Sequence, residues 1–384
     1  MMTTFSNLRD IDGQTIGIRC QDGRIAEIGP QVTAPDAVDG ASRLVLPAFV
    51  EPHVHLDKTL WGEAWQPGKR AAKLRDYIEN ERRVLSANTT APEERAGRLL
   101  GQMLAYGTTA VRSHIDVAPD MGLTHVEAML RLREVWSDRV DLQFVAFPQQ
   151  GLLCRPGTAD LIRAAMDMGV ETVGGLDPAG IDGDPDGQLR FIFDLAVEKG
   201  AGVDIHLHDK GDLGAWQVER IADYTAASGL ASKVMISHAY CLGMIPDARL
   251  KRIGRRLADT GISLMTSAPA DVAVPPVEEL TEMGVTVCCG SDGIRDSWSP
   301  FGNGDMLERA FLTAYRFDWN LDEDFTRALG CATHAAAKAI GLQDYGLAVG
   351  NRADFVMIAA SGAGDALCRR PADRLVVRRG NLLA

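Results

Sequence analysis

The chain has 384 residues, 46% of them hydrophobic and 24% charged, which supports a large buried core and excludes a disordered polypeptide. Its 52 acidic against 40 basic residues leave a formal net charge of −12. That balance argues against a nucleic-acid partner, because polyanion binding runs on phosphate neutralisation by Lys and Arg.

Residues 1–45 read as short strands and turns, with an Asp22-Gly23 hairpin signal between two partly alternating runs. Residues 46–344 alternate apolar runs with amphipathic stretches. Strands are expected at Leu44–Phe49, Ala110–His114, Leu142–Phe147, Thr172–Leu176, Gly202–His206, Lys233–Ser237, Ser263–Thr266 and Val285–Gly290. Eight strands alternating with helices predict an α/β fold of the (β/α)8 TIM-barrel type, which absorbs about 250 residues. The charged segment from Lys69 to Arg95 reads as a solvated helical excursion after the first strand, or as a lid over the site. Residues 345–384 return to strand-like runs, so the two termini are expected to build one small β unit together.

Barrel chemistry sits at the C-terminal ends of the strands. Six of the eight histidines fall there: His53, His55, His114, His206, His208 and His238. In a strand, residues i and i+2 share a face. His53 and His55 therefore present two imidazoles inward to one metal ion, and His206 and Asp292 are candidates for the remaining ligands. Zn²⁺ or Fe²⁺ suits such an N/O set, with one position kept for water. Lys58 pairs with Asp57 or serves the site. His114 and Asp116 support the ligands, and Asp177 is a candidate for substrate contact. His125 and His334 lie outside the strand-end pattern. An H-x-E occurs at His125-Val126-Glu127, but no P-C-x-x-C accompanies it, so the zinc site of nucleoside-type deaminases is not expected.

The motifs HVHLDK, VRSHIDV, VAFPQQG, SHAYC and SDGIRDSWSPFGNGDML resemble the cytosine deaminase branch of the amidohydrolase superfamily. VGGLDPAG and HLHDKG bring the chain closest to enzymes like N-isopropylammelide isopropylaminohydrolase. The resemblance implies a β-sandwich from both termini and a single divalent ion on His53, His55, His206 and Asp292. It implies that His238 orients and deprotonates water, and that Asp292 accepts the water's proton. Gln149 matches the carboxamide that reads the ring's amide edge, and Trp298 packs beside the ring. No lysine stands in DLQFVAFPQQG or ETVGGLDPAG to bridge two metals, so a binuclear centre is not implied.

Two departures stand out. Asp209 occupies the place of the family's proton-shuttling glutamate but is one methylene shorter, leaving Asp209 and His208 as alternatives. Gly293 replaces a second aspartate, which implies a larger pocket. The implied function is hydrolytic deamination of a small nitrogen heterocycle, a cytosine-like pyrimidine or an amino-s-triazine, with ammonia or an alkylamine displaced. The alternatives are cyclic-amide hydrolysis within the same superfamily and a non-catalytic barrel. The seven scattered cysteines include no CxxC, and neither a secretory leader nor a run of about 18 apolar residues is visible. A cytoplasmic homo-oligomer with a small heterocyclic substrate, and with no nucleic-acid or membrane partner, is the expectation.

Overall fold

A computed structural model of the chain describes residues 2–68 and 73–383. The chain opens with β1 (Met2–Arg9), β2 (Thr15–Gln21), β3 (Arg24–Gly29), β4 (Val38–Asp39) and β5 (Leu44–Pro47). The barrel follows as β6 (Phe49–Val54), β7 (Thr108–Asp116), β8 (Asp141–Phe147), β9 (Thr172–Leu176), β10 (Gly202–Leu207), β11 (Val234–His238), β12 (Ser263–Thr266) and β13 (Val287–Cys289). The C-terminal segment adds β14 (Phe355–Ile358), β15 (Arg374–Arg378) and β16 (Asn381–Leu382).

β6 to β13 pair in chain order, each parallel to the next. A parallel bridge between Val54 and Asp292 brings the last strand end back to the first. Helices cover the outside, so these strands are buried on both faces; all nine residues of β7 are buried. The terminal strands form a second sheet in the order β16-β15-β14-β5-β1-β2-β3, with β4 beside β1. This sheet encloses its own apolar cluster, including Phe5, Leu8, Ile18, Phe355 and Val377. The barrel and the small β-sandwich unit from both termini are thus both present.

The run Leu44–Phe49 is not one barrel strand, as its continuous apolar character suggested. Leu44–Pro47 pairs antiparallel with β14, and the barrel begins at Phe49. The chain changes partner between Ala48, whose N–H donates to Asp354 O, and Phe49, whose N–H donates to Gly107 O. Both segments are buried, so apolarity alone did not mark the handover.

The two units are fastened by a buried ion pair. Arg374 on β15 makes two hydrogen bonds to Asp305, at 2.7 and 2.6 Å, and Asp305 also accepts from Leu307 N at 2.9 Å to cap helix Met306–Phe317. Asp305→Ala would leave the fully buried guanidinium unpaired and the helix uncapped. We expect a loss of about 3–5 kcal/mol in chemical denaturation; a loss below about 1 kcal/mol would show the pair to be idle.

After β6 come α1 (Leu74–Ala87) and α2 (Pro92–Ala105), then α3 (Thr124–Trp136) after β7. Pro92 at the first position of α2 and Glu93 and Glu94 in its first turn suit a helix start. α1 lies by the C-terminal mouth of the barrel, where Arg75 donates to Ile181 O at 3.2 Å. The excursion read from Lys69 to Arg95 is therefore helical from Leu74 and adjoins the site; its residues 69–72 lie outside the described residues. Among the described residues no helix is long and apolar enough to cross a membrane.

Candidate active site

The barrel's C-terminal mouth gathers the strand-end residues. His53 on β6, His55 just past its end and His206 on β10 are buried, and Asp292 follows β13. Nε2 of His206 lies 3.3 Å from Nε2 of His55, and Asp292 Oδ1 lies 3.3 Å from His55 Nε2 and 3.6 Å from His53 Nε2. Donors on a tetrahedral ion with bonds of about 2.0–2.1 Å are about 3.3–3.4 Å apart, so this set is spaced to hold one ion.

Several nitrogens here are buried without a hydrogen-bond partner: His53 Nε2, His55 Nδ1, His206 Nδ1 and His238 Nε2. Unpaired buried polar atoms are costly, and a cation between the rings is the chemistry that would satisfy those facing the centre. Burial pushes His55 and His206 well below the ordinary histidine range, keeping them in the neutral form that binds metal. Burial opposes ionisation of Asp292, but the imidazoles of His238, His53 and His55 hold it well below the usual carboxylate range.

The support beneath these donors was not legible in the sequence. His53 Nδ1 meets Ser237 Oγ at 2.9 Å, and Ser237 donates onward to Asp204 at 2.9 Å. With Asp204 accepting from Ser237, His53 Nδ1 is the donor and Nε2 keeps its lone pair. Glu51 accepts from the N–H groups of His53 and Ser291 at 3.0 Å, locking β6 to the turn after β13. These residues precede or alternate with the motif positions, and no spacing rule singles them out. His114 lies in the same imidazole cluster and burial lowers it to about 4; its nearest anionic group is Asp204, at 3.5 Å.

His238 Nε2 stands 3.9 Å from Asp292 Oδ2, and Tyr240 Oη lies 3.3 Å from His238 Nδ1. The His208 ring stacks on His238 with centroids 4.5 Å apart at 26°. Asp177 meets His208 Nδ1 at 2.8 Å, and its other oxygen accepts from the N–H groups of His208 and Asp209 at 2.5 and 3.0 Å. Asp177, expected against substrate, therefore spends both oxygens on the loop that carries His208. Burial alone would lower His208, yet Asp177 raises it above the ordinary value. Asp209 turns to the outer mouth, where its Oδ2 accepts from Gly180 N and Gln217 Nε2, both at 2.9 Å. Asp177, His238 and Asp292 take positive φ angles of 33°, 73° and 61°. That region is rarely used by non-glycine residues and is typical of strained functional positions.

A narrow cavity of about 80 Å³ lies against the cluster, lined by His55, Lys58, Gln149, His208, Asp292 and Trp298 among others. It meets an outer cavity of about 780 Å³ at His208, Asp292 and Trp298. Lys58 does not pair with Asp57. It donates to Asp116 at 3.0 Å and Gln149 Oε1 at 2.6 Å, while Asp57 is held by His125 at 2.8 Å and by Asp116 N at 2.9 Å. Burial would raise Asp57, but His125 and Lys58 lower it to about 2. His125 thus belongs to the support of this wall despite its place on α3, whereas His334 packs on Tyr345 away from the cluster.

Gly293 does not leave the extra room its missing side chain implied. A Cβ there would stand 2.2 Å from Asp296 Oδ2, so a carboxylate from three residues later fills that space. Burial raises Asp296 to about 6.

The likeness to known proteins runs along the chain. Residues 74–384 match the Amidohydrolase family model. The chain is 32% identical over 372 residues to N-isopropylammelide isopropyl amidohydrolase of Pseudomonas sp. (strain ADP), covering 94% of this chain and 91% of that one. The crystal structure of N-isopropylammelide isopropylaminohydrolase from Burkholderia multivorans ATCC 17616 matches with a TM-score of 0.96 at 41% identity, over 100% of this chain and 98% of that one. The 5-methylcytosine deaminase from Klebsiella pneumoniae, liganded with 5-fluorocytosine, matches at 0.90 and 28% identity, over 100% and 97%. Matched by one family model over most of its length and by these relatives over nearly all of it, the chain belongs to the amidohydrolase family and is an enzyme acting on carbon–nitrogen bonds other than peptide bonds.

Proposed function

We propose that this chain removes ammonia or an alkylamine hydrolytically from a carbon of a small nitrogen heterocycle of the pyrimidine or s-triazine type. The observation that carries the proposal is the convergence of His53, His55, His206 and Asp292 at the end of a narrow cavity whose wall holds His208, Gln149 and Trp298, with His238 stacked behind His208. Relatives named for isopropylammelide and 5-methylcytosine support the same substrate class.

His53, His55, His206 and Asp292 would hold one divalent ion, Zn²⁺ or Fe²⁺. When bound, such an ion lowers the pKa of water from 15.7 to about 7 and so supplies a nucleophile at neutral pH. Water oxygen adds to the ring carbon and the carbon–nitrogen bond to the amine then breaks. Asp292 and His238 receive one proton of the attacking water on addition, and the second leaves the adduct's hydroxyl as the ring carbonyl forms; these two protons go to the ring nitrogen and then to the departing amine. His208 lines the inner cavity with Nδ1 fixed on Asp177, leaving Nε2 for that transfer. Asp209 is engaged at the outer mouth, which favours His208 between the two alternatives.

Gln149 reads one edge of the ring. Lys58 only donates, so the oxygen it contacts is fixed as Oε1, and Gln149 Nε2 is offered to a ring carbonyl or ring nitrogen. Trp298 supplies an aromatic face. The seven cysteines are all free and five are buried, which suits a reducing compartment such as the cytoplasm.

Purified protein loaded with Zn²⁺ or Fe²⁺ is expected to release amine, with the ring retained, from at least one of cytosine, isocytosine, creatinine and ammelide derivatives. Ring-opened product, or no turnover on any of them, would sink the proposal. One equivalent of metal is expected in the active protein, with activity lost to a chelator and restored by the ion.

A further inference from the structure

α1 carries a buried acid that the chemistry above does not use. Among the described side chains of that helix only Ile78, Glu81 and Val84 are buried, and Glu81 is 3% exposed. A carboxyl group on the apolar face of a charged surface helix is costly unless partners repay its desolvation. Its partners belong to the wall of the inner cavity. Trp298 Nε1 donates to Glu81 Oε2 at 2.5 Å, and Lys58 Nζ lies 3.4 Å from the same oxygen.

Tyr77 is one helical turn before Glu81, so the two side chains share a face. The Tyr77 ring stacks on Trp298 with centroids 5.3 Å apart at 19°. Lys58 Nζ sits 6.0 Å from the Trp298 ring centroid, and the Trp298 backbone N–H is tied to Asp296 at 2.8 Å. The indole is thus gripped by ring, edge and backbone, and α1 supplies two of the three holds. Burial, with Asp116 and Asp296 nearby, lifts the Glu81 carboxyl well above the usual range against the pull of Lys58.

We infer that Tyr77 and Glu81 are positioning residues that fix the Trp298 indole as one wall of the ring pocket, so that α1 sets how a heterocycle is held there. The inference rests on the proposed placement of the substrate beside Trp298.

Two measurements test it. First, protein labelled with 5-fluorotryptophan is observed by fluorine NMR, with the Trp298 resonance assigned from Trp298→Phe. That resonance is expected to shift and broaden in Glu81→Leu and in the milder Tyr77→Leu, and to stay near its native position in Glu81→Gln, whose amide oxygen still accepts from the indole. An unchanged resonance in both Leu variants overturns the clamp. Second, on the heterocycle of the panel above that the wild type turns over fastest, Glu81→Leu is expected to raise KM roughly tenfold with kcat within about threefold, and Glu81→Gln to recover most of the loss. A displaced resonance with KM unchanged overturns the link to the pocket. Inactivity of the wild type on every compound would refute the proposed reaction instead, and the fluorine spectra would still decide the clamp.

Discussion

Replacing His238 by Asn is expected to lower kcat by about 10²–10⁴-fold, the range for a positioned acid–base group, while leaving the bound metal in place. The imidazole is fully buried, its Nε2 has no hydrogen-bond partner, and it points toward Asp292 Oδ2 at 3.9 Å. Asparagine keeps the approximate size and a polar end but cannot take a proton at neutral pH. Turnover would be measured beside metal content by elemental analysis. Full activity would remove His238 from the reaction. Loss of the ion along with activity would make it a ligand, a reading open to it because His238 lies within 4.8 Å of His53, His206 and Asp292 in one potential ligand group.

His208→Gln is expected to cost about 10²–10³-fold in kcat, and Asp209→Asn less than about tenfold. The difference follows from where the two side chains end. His208 stacks on His238 and lines the inner cavity, whereas Asp209 Oδ2 is occupied by Gly180 N and Gln217 Nε2. Asp177→Asn should fall between them, because an amide accepts at one oxygen only and would loosen the grip on His208. If Asp209→Asn proves the more damaging change, the proton route runs through the outer mouth and the assignment of His208 is wrong.

How far the sequence reached is visible in particular residues. The strand expected at Thr172–Leu176 is β9 at those bounds, and Ser263–Thr266 is β12. Short apolar runs bounded by helical patterns carry that information locally. The His53–His55 spacing is likewise local, because a strand's period of two dictates that both rings share a face. Leu44–Phe49 shows the limit. A buried strand of the terminal sheet and a buried barrel strand have the same composition, and the switch of hydrogen-bonding partner at Ala48 leaves no trace in it.

Composition, strand–helix alternation and strand-end histidines by themselves determined the architecture and the candidates for the metal centre, while the hydrolytic chemistry entered through the resemblance of the motifs to the amidohydrolase superfamily. Each depends on periodicity or on residue type at a strand end, and both are properties of short segments. Only the tertiary structure decided which partner each charged group takes. It gave Asp57 to His125 instead of Lys58, turned Asp177 onto His208, placed Asp296 in the space beside Gly293, and set Glu81 of α1 against Trp298. Three of those pairings join residues 31 or more positions apart, and the fourth forms within the turn from Gly293 to Asp296. Buried charge selects its partner by distance in the folded protein, and sequence separation does not encode that distance.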